Sequence, residues 1–295
     1  MSSISVVYSA KSADLPRPLP TKEEIEDSRD ILSDQAARKV VGVGQHFIIK
    51  YGRGLDISEG ENMLFVQQTT TVRVPRVYAL YEDHADNKKY LIMERIAGNS
   101  LASEWDTLQH DQKEAISKKL RAYWDQLRNL RSPGFYCSLN KRPLLDSIFW
   151  SDDSDSPPLN GPFENEDQLN AALIKKYTYN NLPVHKAELY QRALPSVLRD
   201  HPPTFTHGDF QRKNILLQRL STTRGRRNEE VEGDFELTVL DWEFAGWYPS
   251  YWEYSRAVFA CGRWDDDWSR WVEKVLDPYF NEWAWMEMLM RELWS

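Results

Sequence analysis

Asp209, Asn214 and Asp241 are the residues whose types and settings could do chemistry. The first two lie in Thr206-His207-Gly208-Asp209-Phe210-Gln211-Arg212-Lys213-Asn214-Ile215-Leu216-Leu217, and the third closes Leu237-Thr238-Val239-Leu240-Asp241. The short apolar runs 215–217 and 237–240 read as buried strands. The polar, charged stretch 219–234 between them, with Gly225 and Gly233, suits a surface connection. Paired antiparallel, these strands would carry Asn214 and Asp241 to the same end of a hairpin, with Asp209 in the loop leading in. Two carboxylates and an amide oxygen in one pocket are a hard-oxygen set. Such a set suits Mg²⁺, which keeps several waters and takes few protein ligands plus phosphates. The bland reading of the same residues is a polar turn between core strands.

The pattern H-x-D-x-x-x-x-N followed by a strand-terminal Asp is the phosphotransfer arrangement of kinases. With His207-Gly208-Asp209 in place of H-R-D and Asp241-Trp242-Glu243 in place of D-F-G, the chain resembles the aminoglycoside phosphotransferase family of small-molecule kinases. The continuation Ala245-Gly246-Trp247-Tyr248-Pro249-Ser250-Tyr251-Trp252-Glu253-Tyr254 resembles its large fungal branch. The resemblance spans roughly residues 20 to 260. It implies an α+β, two-lobed protein-kinase-like fold with a small mixed-sheet N-lobe and a larger, mainly helical C-lobe. It also implies ATP and Mg²⁺ as cofactors and a hydroxyl of a small molecule as phosphoryl acceptor. On it, Asp209 is the catalytic base, Asn214 and Asp241 hold the metal, and Glu253 braces the catalytic loop near His207.

The elements that would position these residues are legible upstream. Residues 1–20, with Pro16, Pro18 and Pro20, read as an extended lead-in. Thr21 and Glu24 form a capping-box signature, and the helix it opens is expected to run to about Lys39. Residues 40–50 read as two short strands joined at Gly42 and Gly44 and ending on Lys50. A helix follows from Ser58 to about Gln68. In kinases a strand lysine holds the α- and β-phosphates and is held by a glutamate on the next helix. Glu59 and Glu61 both compete for that partnership. Glu61 would complete a capping box with Ser58, whereas Glu59 opens Glu59-Gly60-Glu61-Asn62-Met63-Leu64-Phe65-Val66, which resembles the family's helix motif; Glu59 is preferred. Val72-Arg73-Val74-Pro75-Arg76-Val77-Tyr78 resembles the family's V-P-x-V strand, with Pro75 at its entrance. A strand through residues 90–97 ends at Gly98. The resemblance makes it the adenine-reading hinge, with Met93 behind the pocket and Glu94 and Ile96 on the hydrogen-bonding stretch. No Gly-rich phosphate loop is present, so nothing is assigned to cover the phosphates.

Residues 99–131 are expected to be helical, with Ile116, Leu120, Tyr123, Trp124, Leu127 and Leu130 on one face. Residues 133–165 read as loop, including the solvated acidic run Asp152, Asp153 and Asp155. Residues 166–198 are helical with a break at Pro183, and an aromatic helix closes the chain from Trp283 to Trp294. The expected division is a lead-in at 1–20, an N-lobe at 21–97 and a C-lobe at 98–295.

Bulk properties restrict the alternatives. The chain has 295 residues, 41% hydrophobic and 28% charged, enough for one large or two modest domains. A net charge of -8 without a basic block argues against nucleic acid. No apolar run has the length of a membrane span. Two distant cysteines, Cys137 and Cys261, make neither a disulfide framework nor a zinc site and suit a reducing cytoplasm. Twelve tryptophans are expected to line the core or a substrate cleft. The rival from another class is an inactive kinase-fold protein that binds a small molecule or a protein partner. Retention of Lys50, Glu59, Asp209, Asn214 and Asp241 together speaks against it.

Overall fold

The computed structural model describes residues 4–35, 37–151, 159–220 and 235–293. Within these, Met1–Glu104 and Ile215–Glu243 form one compact unit, and Trp105–Asn214 and Phe244–Ser295 a second. The acidic run at 152–155 and the connection at 221–234 lie outside the described residues.

In the first unit the chain begins with β1 (Ile4–Ser9), α1 (Lys22–Glu26), β2 (Asp30–Gln35), β3 (Arg38–Val43) and β4 (Phe47–Gly52). There follow α2 (Ser58–Thr69), β5 (Val77–Asp83), β6 (Lys88–Glu94), β7 (Asn99–Ser100) and α3 (Leu101–Glu104). Six strands form one sheet in the order β1-β5-β6-β4-β3-β2, antiparallel at every pair. Because successive side chains on a strand face opposite sides, β4 divides its duties. Phe47, Ile49 and Tyr51 join Ile25, Val41, Tyr78, Tyr90 and Ile92 in a core on one face. Lys50 therefore points to the other face, the one α2 covers. Gly60 of α2 lets that helix approach closely, since a Cβ there would stand 3.0 Å from Leu80 and 3.1 Å from Leu91.

Three expectations need correction. The capping box at Thr21 forms, but its helix stops at Glu26, and residues 30–43 are a hairpin instead. Asp27, Ser28 and Asp30 are weak helix formers that prefer local hydrogen bonds. The Ser28 hydroxyl donates to the Gly42 carbonyl (2.6 Å), starting the chain along β3. The helix expected over 99–131 is broken: Gly98, at φ +116°, turns the chain so that Asn99 and Ser100 pair with Leu217 and Leu216, α3 covers only Leu101–Glu104, and the long helix starts at His110. The V-P-x-V stretch enters its strand later than read, at Val77. The lead-in is used as well: β1 forms the edge of the sheet beside β5.

The second unit starts with α4 (His110–Arg128), α5 (Glu166–Tyr179), α6 (Val184–Val197) and β8 (Pro203–Thr206). Ile116, Leu120, Tyr123, Trp124 and Leu127 of α4 are buried as the helical period requires. The chain then enters the first unit as β9 (Ile215–Arg219) and β10 (Phe235–Val239), paired antiparallel with Ile215 opposite Val239. It returns as β11 (Gly246–Pro249), α7 (Trp252–Phe259), α8 (Trp268–Val275) and α9 (Phe280–Leu293). The core of this unit joins Leu169, Leu173 and Tyr177 of α5 and Tyr190 and Leu194 of α6 to Trp252, Met286, Leu289 and Met290. Among the described residues no helix is long and apolar enough to cross a membrane.

Candidate functional site

In the first unit the Lys50 ammonium lies between two carboxylates, 2.6 Å from Glu59 Oε1 and 2.7 Å from Asp241 Oδ1. Strand parity sends Lys50 to the α2 face, and Glu59 in the first turn of α2 meets it there. Glu59 is the partner rather than Glu61. The capping box between Ser58 and Glu61 is not made; Asp56 accepts the Ser58 amide instead, at 2.8 Å. One turn further along α2, Asn62 donates to the Trp242 carbonyl (2.8 Å), so the same helix that holds Lys50 also holds the segment after Asp241. Asp241 itself has φ +64°, a left-handed conformation uncommon for a residue with a Cβ. Backbone of that kind persists only where its surroundings fix it, and it concentrates at functional positions.

A third carboxylate belongs to the group. Oxygen atoms of Glu59, Asp241 and Glu243 lie within 4.8 Å of one another. Arg38, the first residue of β3, pairs with Glu243. Burial draws the Lys50 ammonium down, but the charges and hydrogen bonds of Glu59 and Asp241 outweigh it and hold its pKa above the ordinary value. Burial pushes the Glu59 carboxyl up; Lys50 opposes that, and the charges of Asp241 and Glu243 add to it. Three hard carboxylates beside two cations fit a divalent ion of the Mg²⁺ class together with an anionic ligand. Neither Arg38 nor Glu243 stood out in the sequence. Arg38 fell near the expected end of a helix that stops at Glu26, and Glu243 was read only as the last letter of a motif.

The hinge candidates are also in this unit. Met93, opposite Ile48, is 6% exposed. Glu94 is tied to Arg76, donating its amide to the Arg76 carbonyl (2.8 Å) and accepting the Arg76 amide on Oε2 (3.2 Å). Ile96 is half-buried, two residues past β6.

In the second unit Asp209 and Asn214 are in contact. The Asn214 Nδ2 donates to Asp209 Oδ2 (2.7 Å) and to the Asp209 carbonyl (3.0 Å). This turns the nitrogen side of the amide to Asp209 and leaves Oδ1 as the atom able to ligate a cation. Gln211 donates to the other Asp209 oxygen, and Lys213 lies 3.3 Å from Oδ2. The Asp209 carboxylate is thus oriented by three side chains of its own loop.

The loop is held from below. Glu253, 1% exposed on α7, accepts the His207 amide (2.6 Å) and the Gly208 amide (3.2 Å), satisfying the partners a buried carboxylate needs. Gly208 is at φ +85°, and a Cβ there would stand 2.9 Å from Phe244 Cβ, so only glycine fits without strain. His207 is fully buried, and its Nδ1 accepts the Asp209 amide (3.1 Å), a structural use of the ring. Arg256 reaches the Gly208 carbonyl (3.5 Å) and pairs with Asp146 (3.3 Å), which also accepts Trp252 Nε1 (2.9 Å). The sequence offered no sign of this buried pair, because Asp146 sits in a polar loop among other acids.

A search of curated proteins finds no match. Solved structures do match. The aminoglycoside phosphotransferase APH(4)-Ia aligns with a TM-score of 0.54 at 14% identity, over 92% of this chain and 84% of that one. The streptomycin-ATP-APH(2")-IIa ternary complex aligns with a TM-score of 0.53 at 18% identity, over 89% and 80%. The GDP and kanamycin complex of APH(2")-IIIa gives 0.51 at 14%, over 89% and 80%. At such identities the likeness establishes the kinase-like α+β fold of these enzymes. The sequence carries the rest: its match over residues 58–289 runs from the helix bearing Glu59 into the last helix, and it makes this chain a member of the phosphotransferase enzyme family.

Proposed function

We propose that the protein transfers the γ-phosphoryl group of ATP to a hydroxyl of a small molecule, with Mg²⁺. The observation that carries this reading is the Lys50–Glu59–Asp241 cluster, formed by residues far apart in sequence. Three acids, one of them the left-handed Asp241, converging with two cations have little use in a purely structural role, since burying charge costs free energy that apolar packing would not. The nucleotide belongs to the first unit, with Met93, Glu94 and Ile96 toward adenine and Lys50 on the phosphates. Catalysis and acceptor binding belong to the second. Within the family, the resemblance of the run 245–254 supports a place in the large fungal branch, and the two free cysteines support a reducing cytoplasm.

Each residue then has a task. Lys50, oriented by Glu59, binds phosphate oxygens. Asp241 and Asn214 Oδ1 would hold the ion, and Glu243 lies beside Asp241 among the acids. When bound, Mg²⁺ neutralises charge on the transferring phosphoryl group. Asp209, fixed by Asn214, Gln211 and Lys213, orients the acceptor hydroxyl and takes its proton. In phosphoryl transfer nearly all of the barrier lowering is positioning and electrostatics, so a carboxylate held by three donors is suited to the work.

The test is ATP turnover against a panel of hydroxylated and aminated small molecules, with ATP binding followed in parallel. Asp209→Ala should abolish turnover while ATP still binds, and Asp241→Ala should weaken Mg-ATP binding. Lost nucleotide binding in a folded Asp209→Ala, or unchanged metal affinity in Asp241→Ala, would refute those two assignments.

A further inference from the structure

We propose that Arg38 binds the nucleotide phosphates in place of the missing Gly-rich loop, and that Glu243 is its counter-ion while no nucleotide is bound. The proposal rests on the ATP reading above and adds a residue to the site. Arg38 begins β3 directly after the turn of the β2–β3 hairpin, and its guanidinium pairs with Glu243, two residues from Asp241. Glu243 is grouped with Glu59 and Asp241, the two acids that hold Lys50. The guanidinium thus reaches the same cluster as the phosphate-binding lysine, from another strand.

The backbone under Arg38 is anchored. The Gly54 amide donates to the Ala37 carbonyl (2.9 Å), and a side chain at Gly52 would collide with that same carbonyl. Ala37, next to Arg38, is therefore docked on the Gly52-Arg53-Gly54 segment, while the Arg38 side chain remains 23% exposed. A docked backbone with a partly exposed cation is a fixed base from which a long side chain can change partners.

The charges supply the reason to change. Three carboxylates and two cations leave the cluster one negative charge over. With a divalent ion and a triphosphate bound, the acids would be neutralised and Arg38 would no longer need Glu243. The phosphate oxygens it brings are what a guanidinium fork binds best. The charges of Glu243, Asp241 and Glu59 all act on Arg38 against the cost of its burial, which agrees with one shared cluster.

The experiment is calorimetric titration of adenosine, ADP and ATP, with and without Mg²⁺, into the full chain, Arg38→Met and Arg38→Lys, each checked for folding by thermal melt. Arg38→Met should weaken Mg-ATP by about 10- to 100-fold, or ~1.4–2.7 kcal/mol, and leave adenosine unchanged. Arg38→Lys should recover part of the loss. Without metal, Glu243→Gln should tighten ATP more in the native background than in Arg38→Met. Unaltered Mg-ATP affinity in Arg38→Met overturns the proposal, as does an equal loss for adenosine or a Glu243→Gln effect independent of Arg38. A native chain that binds no ATP at all refutes the underlying reading instead.

Discussion

Replacing Glu253 by glutamine removes one buried charge and disturbs two backbone hydrogen bonds at the loop that carries Asp209. The carboxylate is 1% exposed, and its two oxygens separately accept the amides of His207, at 2.6 Å, and Gly208, at 3.2 Å. A glutamine keeps one acceptor and turns its own NH₂ toward the other amide, leaving two donors face to face. Hydrogen bonds to charged groups contribute ~1.5–3 kcal/mol, and an orphaned buried donor costs ~1–3 kcal/mol. Together these give a destabilisation of roughly 2–4 kcal/mol once relaxation is allowed. At about 2–4 °C per kcal/mol for a domain of 150–250 residues, the melt should fall by roughly 5–15 °C. Turnover should fall further than stability alone explains, because a displacement of about 1 Å of the Asp209 loop is enough to lose ~100-fold in rate. ATP affinity should hold, since Lys50, Glu59 and Asp241 belong to the other unit. Urea and thermal unfolding, calorimetry with ATP and a turnover assay at a temperature where both forms are folded make the set. A variant melting within a degree of the native protein with normal turnover would show that Glu253 does not brace the loop.

Other outcomes follow from the same contacts. Lys50→Met leaves Glu59 and Asp241 without their shared cation; breaking a buried pair costs ~3–5 kcal/mol, so the melt should drop and ATP binding weaken at least tenfold. A Lys50→Met protein with native stability and affinity would remove Lys50 from the site. Asn62→Ala should cost ~0.5–1.5 kcal/mol by denaturant unfolding, through loss of its hydrogen bond to the Trp242 carbonyl. A loss below about 0.5 kcal/mol would mean that α2 does not hold the Asp241 segment. His201 gives a pH signature. Burial lowers its pKa, but the Glu166 hydrogen bond and charge, with Glu282, outweigh it and raise the value above the ordinary 6.5. A raised histidine stabilises the fold fully below its unfolded pKa, and that contribution disappears as pH climbs through the folded value. Stability should therefore fall above pH 6.5, and His201→Asn should flatten that slope; an identical slope in the variant would contradict the pairing.

How much of this was legible in the sequence differs from element to element. The buried face of α4 followed from its period, and the β9–β10 hairpin from two apolar runs around a polar connection, because each obeys a local pattern. Glu59 was separable from Glu61 because only one matched the family's helix motif, and Glu253 from its position in the aromatic run 245–254. The β2–β3 hairpin was hidden for the opposite reason. Thr21 and Glu24 announce a helix start, and nothing so explicit marks its end at Asp27, where pairing with β3 overrides weak local preference. Missing that hairpin also hid Arg38, whose role appears only beside Glu243, far along the chain. Asp146 and Arg256 were invisible for a related reason, since burial of a charged pair depends on tertiary packing that no spacing encodes.

Ligation of a divalent ion by Asp241 and Asn214, alongside a nucleoside triphosphate, is what the proposed function requires. The most direct measurement is the anomalous scattering of Mn²⁺, in place of Mg²⁺, in crystals grown with a non-hydrolysable ATP analogue. A peak bonded to the Asp241 carboxylate, Asn214 Oδ1 and phosphate oxygens is expected. A bound analogue with its metal ligated by neither residue would contradict it.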